Sequence, residues 1–289
     1  MKITSFIRLC AATLAALALL PSCTPQPKPE SRTLYVSILP LRTLVGEIVG
    51  NDFDIEVLVP SGASPETFEP TPKQFIGLNE ARLIFNVGLI DFETTLLSKI
   101  ADTAKIVNLS RGIEPIAGTC SHCVGGKHHA HGIDPHVWTS PRELQIMAEN
   151  AYNALHRIYP DSTKYERNYK ALTVRLQAID LSIAEKLKAS DIKYFIIYHP
   201  ALTYYARAYG LRQVAIENEG KEPSAKRLSQ IIGQARKDGV RRIFYQKQFP
   251  ASTVEIIARD IDANYVEIDP LREDFIANIQ EITDLIIAQ

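Results

Sequence analysis

From residue 33 onward, short runs rich in β-branched residues alternate with stretches whose apolar positions recur at helical spacing. The strand-like runs are Thr33–Leu39, Asp54–Val59, Leu83–Val87 and Lys105–Leu109, separated by helical patterns near Leu41–Val49, Pro72–Leu78 and Phe92–Ala101. A second set follows at Tyr194–Tyr198, Gln213–Glu217, Arg242–Gln246 and Tyr265–Ile268. Its helices are expected near Ala201–Tyr209, Ser224–Lys237, Ser252–Asp260 and from Glu273 to the end. Strands alternating with helices predict parallel sheets covered on both faces, so the chain reads as two α/β halves of similar size.

The segment between the halves has a different pattern. Ser140-Pro141-Arg142-Glu143 has the form of a capping box with proline at the first helical position, opening a helix that runs to about Ile158. Pro160 interrupts it. A second helix then carries Tyr165, Tyr169, Leu172, Leu176, Ile179, Ile183 and Leu187 at spacings of 4, 3, 4, 3, 4 and 4, with no glycine or proline from Asp161 to Lys188. At 1.5 Å per residue it reaches about 40 Å, the length of both halves, and makes a stiff connector. The boundaries are then a leader at 1–22, a tether at 23–32, a first lobe at 33–159, a backbone helix at 160–189 and a second lobe at 190–289.

The N-terminus belongs to none of these. Lys2 and Arg8 precede an apolar stretch, Ala11 to Leu20, of signal-peptide length and too short to span a membrane. It ends Leu20-Pro21-Ser22-Cys23, which resembles the lipobox of bacterial lipoproteins and implies lipidation of Cys23 with cleavage ahead of it. The alternative is a plain secretory signal with an incidental cysteine. Thr24 to Arg32, with three prolines, reads as a tether. The expected location is the periplasmic or cell-surface side, held to the membrane by the lipid alone.

Composition narrows the function. The 289 residues are 46% apolar and 22% charged, values of an ordinary globular protein that exclude disorder, collagen and coiled coil. The 32 basic residues fall to 30 without Lys2 and Arg8, against 33 acidic ones, a net charge of −3 that gives no footing to nucleic acid. With Cys10 removed and Cys23 lipidated, only Cys120 and Cys123 remain, too few for a disulfide scaffold.

Four residues stand just past a strand or in a turn-rich loop: Glu66, His136, His199 and Asp269. In open α/β sheets ligands bind beyond the carboxyl ends of the strands, so two candidates from each half point to a cleft between lobes. Two imidazoles and two carboxylates suit Zn²⁺, and also Mn²⁺ or Fe²⁺. Singly, each reads more readily as a polar loop residue or a helix cap than as a ligand, and separations of 70, 63 and 70 residues form no local motif. The segment Cys120 to Gly132 holds four of the seven histidines and both remaining cysteines. Cys120, His122, Cys123, His128, His129 and His131 among small residues read as an accessory metal-collecting loop. The alternative is a solvated loop, with or without a Cys120–Cys123 disulfide. A zinc finger is disfavoured because no second pair at the proper spacing follows. His156 reads as an exposed helix residue.

The motifs Gly62-Ala63-Ser64-Pro65-Glu66-Thr67-Phe68-Glu69-Pro70, Asp134-Pro135-His136-Val137-Trp138, Tyr198-His199-Pro200, Glu222-Pro223-Ser224 and Ile268-Asp269-Pro270-Leu271 occur in this order. With them the chain resembles the zinc/manganese family of periplasmic solute-binding proteins that serve bacterial ABC importers. The resemblance implies two α/β lobes joined by one rigid helix, with the metal in the interlobe cleft. It implies His136, His199 and Asp269 as ligands, with Glu66 where most members carry histidine. Two carboxylates and two neutral imidazoles would leave bound Zn²⁺ formally uncharged. Asp134, Trp138 and Tyr204 are nearby candidates for supporting roles. The implied activity is capture of a divalent metal, zinc first and Mn²⁺ or Fe²⁺ as alternatives, by a monomer that delivers it to a membrane permease and is not an enzyme. Two other readings remain open: a zinc hydrolase, for which no His-Glu-x-x-His or evident general base is present, and a surface adhesin with a metal site.

Overall fold

A computed structural model describes residues 31–117, 132–217, 222–249 and 251–288. The leader 1–22, Cys23, and the collecting loop with Cys120, His122, Cys123, His128, His129 and His131 lie outside the described residues.

The first lobe is built on β1 (Thr33–Val36), α1 (Leu39–Val49), β2 (Asp54–Val57), α2 (Pro72–Glu80), β3 (Leu83–Asn86), α3 (Asp91–Leu97) and β4 (Ile106–Asn108). Its strands are all parallel, in the order β2-β1-β3-β4. Every residue of β3 is buried, as an inner strand covered on both faces requires. The strand run expected to reach Leu39 stops at Val36, because Pro40 falls in the first turn of α1. There its fixed φ and missing N–H suit a helix start. The helix expected to reach Ala101 ends at Leu97. Ser98 Oγ donates back to the Thr95 carbonyl, and the amides of Lys99 and Ile100 bond three residues back, which turns Ile100 into the core.

Helices α4 (Pro141–Ile158) and α5 (Thr163–Ala189) follow. Ser140 is the N-cap of α4, but its hydroxyl makes no cap bond, so the expected capping box does not form. Glu143 is drawn instead to Arg207, whose Nη2 donates to Oε1 at 2.9 Å. α5 has 27 residues, about 40 Å, and buries Tyr165, Leu172, Leu176, Ile179, Ile183 and Leu187. The second lobe comprises β5 (Tyr194–Ile197), α6 (Thr203–Tyr209), β6 (Arg212–Ala215), α7 (Ala225–Asp238), β7 (Arg242–Gln246), α8 (Ser252–Asp260), β8 (Asn264–Ile268) and α9 (Phe275–Ile287). Its parallel order, β6-β5-β7-β8, repeats that of the first lobe.

α5 joins the lobes along its whole length. Near its start Lys164 pairs with Asp52, at its middle Arg175 with Glu47 of α1, and near its end Lys186 with Asp284 of α9. Beneath these pairs a single apolar cluster includes Leu34 and Val45 of the first lobe, Leu172 and Ile183 of α5, and Phe244 and Ile279 of the second. Smaller clusters lie on the outer side of each sheet, around Ile243 and Ile257 in one lobe and Ile84 and Leu96 in the other. Among the described residues no helix is long and apolar enough to cross a membrane.

Both sheets reverse strand order at their second gap, between β1 and β3 and between β5 and β7. Such a switch point leaves a crevice beyond the strand ends, and His199 stands at the one in the second lobe.

Candidate metal centre

His199 lies two residues beyond β5. The parallel register that pairs Ile197 with Ala215 and with Phe244, continued two steps, sets His199 level with Glu217 and Gln246. Both neighbours hold it. Gln246 Nε2 donates to the His199 carbonyl at 2.7 Å, and the His199 amide donates to Gln246 Oε1 at 3.2 Å. The imidazole Nδ1 lies 2.7 Å from Glu217 Oε1, and Phe249 stacks on the ring at 4.9 Å. Glu217 accepts only, so the ring proton sits on Nδ1 and the Nε2 lone pair faces the crevice.

His136 is held in the same way from the first lobe. Asp134 Oδ1 accepts both the His136 amide and its Nδ1–H, each at 2.9 Å. Burial raises the Asp134 pKa, but the charge and hydrogen bonds of His136 and a bond from Thr203 outweigh it and hold the carboxyl below the usual range. The segment is fastened to the second lobe twice: Tyr204 Oη donates to the Asp134 carbonyl at 2.9 Å, and Trp138 Nε1 to the Pro270 carbonyl at 3.0 Å. Both histidines are buried.

The two Nε2 atoms are 3.3 Å apart, and Glu66 Oε1 lies 3.1 Å from that of His199. Glu66 is brought in by the loop between β2 and α2. Phe68 packs edge-on against Phe92 at 5.0 Å, and a capping box between Thr71 and Gln74 closes the loop onto α2. Tetrahedral zinc with bonds of about 2.0–2.1 Å needs ligand atoms about 3.3 Å apart. The two separations at His199 Nε2, 3.3 Å to His136 and 3.1 Å to Glu66, therefore fit that ion. Glu66, His136 and His199 each offer one ligand atom, all within 4.8 Å of one another. Asp269 is not part of this group; its carboxylate pairs with Lys247 at 2.6 Å.

Sequence reasoning thus named three residues that converge, and it missed Glu217, Gln246 and Phe249. The position of Glu217 at the end of the strand next to that of His199 was the available signal. Of the three supporting candidates, Asp134 orients His136, Tyr204 braces Asp134, and Trp138 ties the lobes together.

Two parallel-sheet lobes share one core and aim buried imidazoles from each side at a common point, the arrangement of a candidate metal centre between two α/β lobes. Residues 34–288 match the family described as ZnuA, zinc-uptake complex component A, periplasmic, and the chain belongs to that family. It is 29% identical over 246 residues to the high-affinity zinc uptake system protein ZnuA of Bacillus subtilis, covering 82% of this chain and 77% of that one. It is also 29% identical over 281 residues to the zinc-binding lipoprotein AdcA of Streptococcus pneumoniae serotype 4, covering 92% of this chain. The chain spans only 55% of AdcA, about half the length of that curated relative. A crystal structure of a zinc-bound ZnuA carrying a 138–173 deletion superposes with a TM-score of 0.81 at 31% identity, covering 89% of this chain and 97% of that one.

Proposed function

We propose that this chain captures Zn²⁺ outside the cytoplasm and delivers it to an ABC importer, with Glu66, His136 and His199 as ligands. The observation that carries this reading is the pair of Nε2 atoms 3.3 Å apart, each ring backed at Nδ1 by a carboxylate. Two lone pairs aimed at each other across that distance repel unless a cation or proton lies between them. Donors of this kind favour zinc over Mn²⁺ or Fe²⁺. Family membership and zinc-named relatives on both the sequence and structure sides support the same cargo. The leader and lipobox support anchoring through Cys23, with 33–159 and 190–289 as the lobes and 160–189 as their connector. The cysteines and histidines of 120–131 would gather metal ahead of the site without forming it.

The test is metal content and competition titration on purified protein, wild type beside Glu66→Ala, with zinc uptake measured in a deletion strain. One tight equivalent of zinc, weakened in Glu66→Ala, together with lost uptake, is the expected result. Absence of any tight transition metal would overturn the reading. Zinc bound equally well by Glu66→Ala would remove Glu66 from the ligand set.

A further inference from the structure

Asp269 follows β8 directly, and the register of β7 with β8 pairs Gln246 with Ile268. Continued one step, that register sets Lys247 opposite Asp269. The two meet, with Lys247 Nζ 2.6 Å from Asp269 Oδ2. The other oxygen, Oδ1, accepts from Gln248 Nε2 at 3.2 Å and from the Leu271 amide at 3.1 Å. The Asp269 carbonyl is fixed as well, accepting Asn278 Nδ2 at 2.8 Å and the Arg272 amide at 3.0 Å. Gln248, Pro270 and Leu271 line the cavity beside the histidines, whereas Asp269 does not. A carboxylate at the mouth of a metal site is thus committed on both oxygens, and a cation fixed by the strand register holds one of them.

We propose that Lys247 is a specificity-determining residue. Its ammonium competes with incoming metal for the Asp269 carboxylate and leaves the metal two imidazoles, the Glu66 carboxylate and a fourth position open to solvent. Lys247 acts through Asp269 and does not touch the metal. Withdrawing one carboxylate weakens a hard, oxygen-seeking ion such as Mn²⁺ more than zinc, which is well served by imidazole. The pair is partly exposed, so the competition is graded rather than absolute. This inference rests on the metal-capture reading and adds to it the basis of selection among metals.

The experiment measures Zn²⁺ and Mn²⁺ affinities by competition titration for wild type, Lys247→Gln, Lys247→Arg, Asp269→Asn and the double variant Lys247→Gln/Asp269→Asn, with circular dichroism as the control for folding. Lys247→Gln should tighten Mn²⁺ by about tenfold and Zn²⁺ by less than about threefold. Lys247→Arg keeps the wild-type ratio of the two metals, and the double variant loses the gain. Asp269→Asn alone should change zinc affinity by less than about threefold, since Asp269 contributes little to the wild-type site. The inference is overturned by an unchanged Mn²⁺-to-Zn²⁺ ratio in Lys247→Gln, or by loss of about tenfold or more of zinc affinity in Asp269→Asn alone. Wild-type protein that holds no tight transition metal would overturn the capture reading and this inference together. Tight zinc with either failing pattern overturns only the inference.

Discussion

His136 and His199 present their Nε2 atoms to each other at 3.3 Å, one from each lobe. Neither ring can turn away. Asp134 holds the first at 2.9 Å and Glu217 the second at 2.7 Å, each on the nitrogen opposite the shared point. On the proposed ligand set, removing either imidazole takes away a ligand that the other elements do not replace. His136→Ala and His199→Ala should each weaken zinc by about 10²–10³-fold or more, read by competition with a chromophoric chelator. Retention of wild-type affinity by either variant would place the metal elsewhere.

Glu217 never needs to touch the metal to matter. It fixes the tautomer and raises the basicity of His199, so Glu217→Ala should cost about 10–100-fold in zinc affinity. Glu217→Gln still accepts the Nδ1 hydrogen bond and should lose less. Equal losses in the two variants would show that charge, and not ring orientation, is what Glu217 supplies.

The site should depend on pH in a direction set by His199. Burial works against its charged form, but the hydrogen bond to Glu217 and the charges of Glu66, Glu217 and Asp134 outweigh it, and its pKa stands above the ordinary histidine value of 6.5. A proton on Nε2 must leave before metal binds, so zinc affinity should begin to fall at a pH above 6.5 as the solution is acidified. In the metal-free protein the same raised pKa gives stability that is complete below the unfolded value of about 6.5 and is lost as pH rises through the folded one. Both effects shrink the gain in Tm on adding zinc as pH falls. Thermal melts with and without zinc between about pH 5.5 and pH 8 would measure it, and a constant gain would contradict the assignment.

Because one apolar cluster runs from Leu34 through α5 to Ile279, the lobes should not melt separately. Leu176 is 1% exposed in the middle of that cluster. Leu176→Ala should cost about 2–5 kcal/mol and lower a single calorimetric transition without splitting it. Two resolved transitions would mean that the lobes are independent folding units.

The fold was largely legible because its strands are short β-branched runs and its helices keep a clean apolar period. The stripe from Tyr165 to Leu187 reads directly as the buried side of α5, with Tyr169 only partly covered. What failed were local inferences that ignored partners distant in sequence. Ser140 and Glu143 have capping-box spacing, yet Arg207, 64 residues away, takes the carboxylate. At the site, loop positions picked out Glu66, His136 and His199, which the structure brings together, while the neighbours of each strand end follow from register. Glu217 stands level with His199 across β5 and β6, whereas Asp269 lies one residue beyond that level, opposite Lys247. A resemblance in motif order cannot reveal such a one-residue offset; only the pairing of strands does.

The three converging side chains are held very unequally. Both imidazoles are buried and fastened at Nδ1, whereas Glu66 is 41% exposed in its side chain and reaches in on a long loop from β2. Of the three proposed ligands, only Glu66 can therefore let go without disturbing a buried side chain. On the proposed ligand set, each release of that carboxylate leaves an ion on the two histidines and the solvent-facing position, and the histidines remain in place as a socket already shaped for the next ion.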